Sequence, residues 1–532
     1  MDEKSQHIKI FINGKEIQSS GGETILDVAT SNGIRIPSLC KSQGLEHYTS
    51  CMLCVVKDDE SGKIIPSCSA YPEEGMMIET DTDEIRELRR TALELLLSEH
   101  LGDCEAPCRR ACPAFLDIPL MISLINENRF NDAAEVVFRN IPLPSVLGRI
   151  CPAPCEKACR RGKFDSQISI CLLKRFVGDY VIENEALIPF GSAETRTTGQ
   201  VQPFKAAVIG AGPAGLSAAF HLAISGVRCS IFEKKPIPGG QLLSILDDRL
   251  DKKILGKEID KILQSGIELR TGADLKIDDL LANFAVVIVC AGEHKSGEIL
   301  FPELEMSEHG IKADFAGRTS KQGVFAAGGC VRPIRMAAQA IGQGRKVAEF
   351  AIKFLEGEEI VHGQIFNSSY GTLSEDEINT LASLSSKSAR TNPEDQNSGF
   401  DESEALEESS RCFQCQCLKK DACKLRDYSS EYDARQKRLH EGVVHQRLVR
   451  EISEKLNLVY ESGKCIKCGI CVRISRKNQE KLGMAFNGKG IDTVLKVPFS
   501  ESIEKGLENS ADECARNCPT GAISKRTSEI YF

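Results

Sequence analysis

The stretch AAVIGAGPAGLSAAFHLAISGVRCSIFEKK, residues 206–235, decides how the middle of this chain folds. A short apolar run, Ala206 to Ile209, reads as a buried strand that enters Gly210-x-Gly212-x-x-Gly215 and then an alanine-rich helix. A second apolar run ends at Glu233. Glycines at that spacing let the chain turn sharply and approach a pyrophosphate seated on the helix N-terminus, while the acidic residue reaches a ribose. A glycine triplet alone is weak evidence. Strand, helix and acid together predict a dinucleotide-binding βαβ unit.

On both sides of this unit, nineteen of the 23 cysteines gather into five groups. These are Cys40/Cys51/Cys54/Cys68, Cys104/Cys108/Cys112, Cys151/Cys155/Cys159/Cys171, Cys412/Cys415/Cys417/Cys423, and Cys465/Cys468/Cys471 with the distant Cys518. Disulfide scaffolds belong to small secreted domains, whereas this chain has 532 residues and no apolar signal-like stretch. It also has no run of 18 apolar residues, so a cytoplasmic protein that does not span a membrane is expected. In a reducing compartment such spacings indicate metal or redox chemistry, and thiolates so closely repeated hold iron-sulfur clusters. Zinc is the alternative for any single group. A net charge of −9 excludes the basic footprint of a nucleic-acid binder.

Residues 1–80 read as a β-grasp domain. HIKIFINGKEIQS alternates apolar and polar residues around Asn13-Gly14, a tight-hairpin signal, and ETILDVATSNG supplies a short helix closed by Gly33. The cysteines follow as C-x10-C-x2-C-x13-C. This resembles the N-terminal domain of the large iron-sulfur subunit of respiratory complex I and of electron-bifurcating iron hydrogenases. The resemblance implies a [2Fe-2S] cluster on Cys40, Cys51, Cys54 and Cys68.

Residues 81–199 read as a helical two-cluster domain. EIRELRRTALELLLSEH predicts an amphipathic helix ending at His100, with Leu88, Ala92, Leu95 and Leu96 on one face. His100-x3-Cys104 resembles the same complex I and hydrogenase subunits, which implies an imidazole iron ligand. CEAPCRRACP and RICPAPCEKACRRG instead resemble the glutamate synthase small subunit and dihydropyrimidine dehydrogenase. That family implies interleaved [4Fe-4S] clusters, one on His100, Cys104, Cys108 and Cys159, the other on Cys112, Cys151, Cys155 and a fourth ligand. Cys171 lies one helical turn before the family's position at Lys174 and is the expected fourth ligand. Arg109, Arg110, Arg160 and Arg161 read either as a solvated face or as charge that offsets the clusters.

Residues 200–360 read as a Rossmann-like domain. PGGQLL, AVVIVCAG, GVFAAGGC and AAQAIGQGRKVAEFA resemble the FAD domain of glutamate synthase small subunits. The resemblance implies FAD held by Gly210, Gly212, Gly215, Glu233, Gly240, Gln241, Gly292, Gly328 and Gly329. Two departures stand out. Only Glu293 to Gln322 separates the later motifs, room for one crossover and not for a nicotinamide domain, so no NAD(P) site is expected. Gly329 replaces an aspartate that touches the flavin in relatives, which removes one hydrogen bond of about 1 kcal/mol. Cys229, Cys290 and Cys330 read as small buried apolar residues.

Residues 361–410 are rich in Ser, Asn, Asp and Glu and read as a mostly exposed linker. Residues 411–450 carry RCFQCQCLKKDACKLR, a compact group for one [4Fe-4S] cluster or zinc. Residues 451–532 read as a ferredoxin module in which Ser475 stands where a two-cluster ferredoxin has its fourth cysteine. One cluster on Cys465, Cys468, Cys471 and Cys518 is expected, with Cys514 left over.

The fold class expected is therefore multidomain, α+β and α/β. Its cofactors would be one [2Fe-2S] cluster, about four [4Fe-4S] clusters and FAD. The expected role is an electron-transfer subunit of an anaerobic oxidoreductase complex, electron-bifurcating or not. Its partners would be a complex I-like NADH-oxidising flavin subunit and a separate catalytic subunit, of hydrogenase or formate dehydrogenase type, or ferredoxin. The alternatives are a self-contained NAD(P)H:acceptor oxidoreductase or glutamate synthase small subunit, and a non-catalytic scaffold.

Overall fold

The computed structural model describes residues 7–184, 204–273, 276–293, 301–361, 363, 365–395, 397–439 and 449–526. The expected boundary at 199/200 lies outside these residues. The chain divides into two compact units, each assembled from separate segments: residues 1–105, 363–381 and 415–532 in the first, and 106–362 and 382–414 in the second. Among the described residues no helix is long and apolar enough to cross a membrane.

The first unit contains the β-grasp sheet. His7–Ile12 and Lys15–Ser20 form the antiparallel hairpin, closed by Asn13 at φ 50° and Gly14 at φ 74°. Both central residues take the left-handed conformation that a type I′ turn requires, which is why Asn-Gly stands there. Strands Met77–Glu79, Val55–Asp58 and Ile64–Pro66 complete the sheet. Helix Ile25–Ser31 opens on a Thr24/Asp27 capping box, and it buries Ile25, Leu26, Val28 and Ala29.

Helix Asp83–Glu99 is capped by Thr82 and ends at His100, but its buried face is not the expected one. Leu88 and Leu95 are 41% and 56% exposed, whereas Ile85, Arg89, Leu93 and Leu97 are buried. The i, i+4 line through position 89 faces inward because its guanidinium is fully satisfied there. Arg89 donates to the carbonyls of Leu53 and Val55, both at 2.9 Å, and to the Tyr432 hydroxyl at 3.1 Å. The C-terminal module has a sheet of Arg450–Ser453, Leu458–Glu461 and Ile523–Lys525, with helices Ile470–Lys477 and Ala511–Asn517.

The second unit joins a helical layer to the Rossmann-like sheet. Its five parallel strands run Val324–Ala326, Val286–Val289, Lys205–Ile209, Arg228–Glu233 and Glu268–Thr271 in spatial order. Helices Pro213–Ile224 and Ala337–Glu356 pack so closely that a Cβ at Gly344 would strike the Ala214 carbonyl. In the short stretch between the last two motifs, the described residues hold a two-stranded hairpin, Met306–Ser307 with Gly310–Ile311, and no crossover helix.

Residues 361–410 depart from the exposed linker expected of them. They contain helices Glu375–Ser383 and Glu402–Ser410. Glu408, with no exposed surface, pairs with the buried Arg411 at 2.9 Å and accepts from the Ser169 N–H at 2.7 Å. Polar composition misleads at Glu408, whose charge is buried as a satisfied pair, whereas most other acidic side chains of the segment are exposed.

Candidate metal centres and dinucleotide site

None of the 23 cysteines is joined in a disulfide. Cys40, Cys51, Cys54 and Cys68 are each at most 3% exposed and form one hydrogen-bonded chain of thiols. Cys40 bonds to Cys51 and Cys68, and Cys54 bonds to Cys68. The Cys51 contact is the main cause holding Cys40 well below the ordinary thiol range, and the Cys68 contact brings Cys54 to about 7. The backbone N–H of Leu39 points at Cys51 Sγ at 3.4 Å, and the Thr49 hydroxyl lies 3.5 Å from Cys68 Sγ. Four converging thiols met by donors suit anionic sulfur ligands, and the donor set fits a [2Fe-2S] cluster.

In the second unit Cys112, Cys151 and Cys155 line one cavity with Lys174, and the Cys171 thiol hydrogen-bonds to those of Cys151 and Cys155. The structure thus brings together all four residues expected of this cluster. Cys151 stands at the end of helix Pro144–Ile150, and Cys171 lies in the first turn of helix Ile170–Glu183. These helices meet at Gly148 and Gly178, where added Cβ atoms would strike Arg175 and the Ser145 backbone. Lys174 is 4% exposed with Nζ 3.8 Å from Cys171 Sγ. Burial lowers its pKa, yet the fields of Cys171, Cys151, Cys155 and Cys112 outweigh burial and raise it. A buried cation facing four thiols was not read from the sequence, where Lys174 marked only the family's ligand position.

The C-terminal cavity is lined by Cys465, Cys468, Cys471 and Cys518. Cys514 lies outside it, fully buried, with its thiol toward the Cys471 carbonyl at 3.9 Å. Ser475 bonds to the Cys471 carbonyl at 2.8 Å and receives the Met484 N–H at 3.2 Å, so it serves as a helix-packing residue. The sequence gives no sign of Arg473. Its guanidinium donates to the carbonyls of Cys40 at 2.8 Å and Cys468 at 3.2 Å, and it lies over the Tyr48 ring. This one side chain joins the loops of the first and last cysteine groups, which share an apolar core.

The eight other expected ligands divide between the units. His100, Cys104, Cys415, Cys417 and Cys423 belong to the first, whereas Cys108, Cys159 and Cys412 belong to the second. Cys104 Sγ receives the Ser368 N–H at 3.4 Å. Burial pushes the Cys423 thiol up to about 12, with added repulsion from Cys417 and Cys104. His100 is 7% exposed, and burial beside Lys464 lowers it to about 4. Buried Lys464 and half-buried Arg450 both pair with Glu461, a set of charges the sequence did not announce. Among the described residues no three His, Cys, Asp or Glu side chains gather as ligands of one metal ion. Of the four arginines, Arg161 is 1% exposed and paired with Asp165 at 2.8 Å, so it is not a solvated residue.

At the dinucleotide site Gly210 has φ 100°, and a Cβ there would strike the Cys290 carbonyl. At Gly212 an added Cβ would have only Gly240 Cα nearby, at 3.8 Å, leaving the mouth of helix Pro213–Ile224 open to a phosphate. Glu233 accepts the Ala211 N–H at 2.7 Å and the Lys235 N–H at 2.9 Å, which fixes the glycine turn against its strand. Gln241 lies in the turn of 3-10 helix at Gly240–Ser244, and Gly292 at φ 81° has open space on its Cβ side. The Gly328 N–H bonds to Gln343 at 3.0 Å. At Gly329 a Cβ would come within 2.8 Å of Glu293 Cγ. Glu293 therefore crowds the place where relatives carry an aspartate. Helix Ala337–Glu356 also reaches the Cys112 site, since Ala338 lines that cavity and Gly342 packs on the Pro113 carbonyl.

Three sequence families match segments of the chain. The 2Fe-2S iron-sulfur cluster binding domain covers residues 5–83. Dihydropyrimidine dehydrogenase domain II, 4Fe-4S cluster, covers 98–186. Pyridine nucleotide-disulphide oxidoreductase covers 201–344. Among curated relatives, the NADPH-Fe(3+) oxidoreductase subunit beta of Geobacter sulfurreducens is 37% identical over 36% of this chain and 29% of its own length. The NADP(+)-dependent formate dehydrogenase subunit beta of Moorella thermoacetica is 38% identical over 36% of this chain and 30% of its own. The glutamate synthase [NADPH] small chain of Bacillus subtilis is 33% identical over 36% and 38%. The chain thus spans about a third of the length of these relatives. It combines a [2Fe-2S] domain, a helical 4Fe-4S domain and a Rossmann-like FAD-binding domain, as expected.

Proposed function

We propose that this chain is an electron relay of a multisubunit oxidoreductase, passing electrons between a pyridine-nucleotide-oxidising flavin subunit and a separate catalytic subunit or ferredoxin. Its location would be the cytoplasm. The observation that carries the reading is Arg473. In the first unit, one guanidinium is bonded at once to the Cys40 and Cys468 carbonyls, within the core shared by two cysteine sites. Residues that held single cofactors for separate chemistries would have no reason to share such a joint.

An iron-sulfur cluster supplies one-electron transfer without moving heavy atoms. The chain's own residues do the rest. Cys40, Cys51, Cys54 and Cys68 would hold the [2Fe-2S] cluster, Cys112, Cys151, Cys155 and Cys171 one [4Fe-4S] cluster, and Cys465, Cys468, Cys471 and Cys518 another. The remaining eight candidates would hold two more. Backbone N–H groups at the sulfurs and the buried Lys174 offset ligand charge, which raises the potential of the site they face. Helix Ala337–Glu356 runs from the Cys112 cavity to the flavin motif, so those sites share a rigid element. Gly210, Gly212 and Gly215 would leave the flavin pyrophosphate on the helix N-terminus.

The test is anaerobic purification of the full chain, with iron and flavin analysis. The relay reading expects about 18 irons, about two from the [2Fe-2S] cluster and about four from each of the [4Fe-4S] clusters. It also expects dithionite to reduce the clusters while NADH or NADPH alone does not. Turnover of NAD(P)H with a dye by this chain alone would establish instead a self-contained oxidoreductase.

A further inference from the structure

We infer that His100, Cys104, Cys417 and Cys423 are the four ligands of one [4Fe-4S] cluster, a grouping that draws on two motifs the sequence assigns to different clusters. The inference rests on the relay reading above for the presence of clusters, and adds which residues share one.

Backbone bonds fasten the two motifs together inside the first unit. Asp103 and Gln416 form a parallel bridge, and the Cys417 N–H donates to the carbonyls of Asp103 at 3.0 Å and Cys104 at 3.3 Å. On the far side of Cys423, Arg426 reaches Glu105 at 2.7 Å. Cys104, Cys417 and Cys423 are 7%, 7% and 5% exposed, and the Cys104 charge acts on both of the others. The thiols are enclosed by close backbone: Cys417 Sγ rests on Gly521, where a Cβ would collide with it.

His100 supplies the remaining donor. The Leu101 N–H bonds to the Gly463 carbonyl at 2.7 Å, and the Lys464 side chain lies over Gly102, 2.8 Å from where its Cβ would be. Lys464 is the neighbour common to this end of the site, because its charge acts on both His100 and Cys417. The imidazole is buried and its Nδ1 has no hydrogen-bond partner. A buried acceptor or donor left unmet is destabilising, and a neutral nitrogen free of a proton is what iron ligation requires. Lys464, Arg426 and Arg450 place positive charge around the three thiolates, with Glu461 between two of them.

The experiment compares anaerobically purified full-length Cys104→Ser, Cys423→Ser and the double variant by iron content and EPR of the reduced protein. One shared cluster predicts that each single variant and the double lose the same signal and about four irons. Two signals lost and about eight irons missing in the double would overturn the grouping. The [2Fe-2S] signal reports whether the unit is folded. Should it vanish, His100→Cys decides the matter: it is expected to keep its irons while shifting the g-values and lowering the potential of that one cluster. An unchanged EPR spectrum and potential in His100→Cys would overturn the inference. So would loss of this signal in Cys415→Ser with the [2Fe-2S] signal intact. Wild-type iron far below about 18 counts against the relay reading, whatever the variants do.

Discussion

At the scale of single residues, Gly329 shows how a missing side chain is compensated by its neighbour. The sequence suggests a hydrogen bond lost; the structure adds that Glu293 fills the room, its Oε1 taking the Ile334 N–H at 2.9 Å. Introducing an aspartate there should therefore destabilise the flavin domain. Gly329→Asp is expected to cost about 1–3 kcal/mol by overpacking and to lower flavin content, and because the Glu293 backbone N also lies 2.9 Å from the added Cβ, Gly329→Asp/Glu293→Ala should recover little of either. Thermal unfolding and bound flavin measure this. A second buried carboxylate makes a pH prediction. Glu258 is 2% exposed, and burial raises it to about 8 despite N–H groups from Ser145 and Val146 and the charge of Arg149, with Asp179 adding to the rise. Below its ordinary value of 4.5 both folded and unfolded chains carry the proton. Between there and about 8 only the folded chain keeps it, so stability falls as pH rises, by about 1.4 kcal/mol per unit for one proton. Denaturant titrations at pH 6, 7 and 8 should show that slope in the wild type and its loss in Glu258→Gln.

At the scale of elements, local signals were legible and faces were not. Asn13-Gly14, the Gly33 stop and Gly210-x-Gly212-x-x-Gly215 each act within a few residues, and each element they mark is where the sequence puts it. Helix Asp83–Glu99 also has its expected length, yet hydrophobicity alone turned its face toward Leu88 and Leu95. The inward line was set by Arg89, whose partners at Leu53, Val55 and Tyr432 lie far away in sequence. Arg473, on helix Ile470–Lys477, was illegible for the same reason. Its replacement tests the joint between the first and last cysteine groups. Arg473→Lys keeps the charge but loses the planar fork that serves several carbonyls at once. It is expected to cost the first unit about 1–3 kcal/mol, from carbonyls left unmet, and to slow electron equilibration between the [2Fe-2S] and C-terminal clusters. Rapid-freeze EPR after a reductant pulse reads the rate, and a wild-type rate in Arg473→Lys would remove the joint from the electron path.

At the scale of the whole molecule, the cysteine groups suggested modules in line along the chain, but the units interleave. The chain passes from one unit to the other after residues 105, 362, 381 and 414, so neither unit is a continuous segment. Spacing marked the candidate metal ligands. It did not show which of them share a unit, because that depends on the return of residues 363–381 and 415–532 to the N-terminal segment. A fragment ending at residue 199 discriminates the two pictures. If the modules were autonomous, it would hold the [2Fe-2S] cluster and two [4Fe-4S] clusters, about ten irons. In the interleaved structure the fragment lacks Tyr432 against Arg89, Ser368 against Cys104, and the 417–423 loop. It also lacks Glu408, which accepts the N–H of Ser169 at the start of helix Ile170–Glu183. Expected iron is therefore at most about six, with a [2Fe-2S] signal that bleaches at lower temperature than in the full chain. Stable binding of about ten irons would mean that the long-range contacts decorate modules already complete, and that the sequence order is also the order of folding.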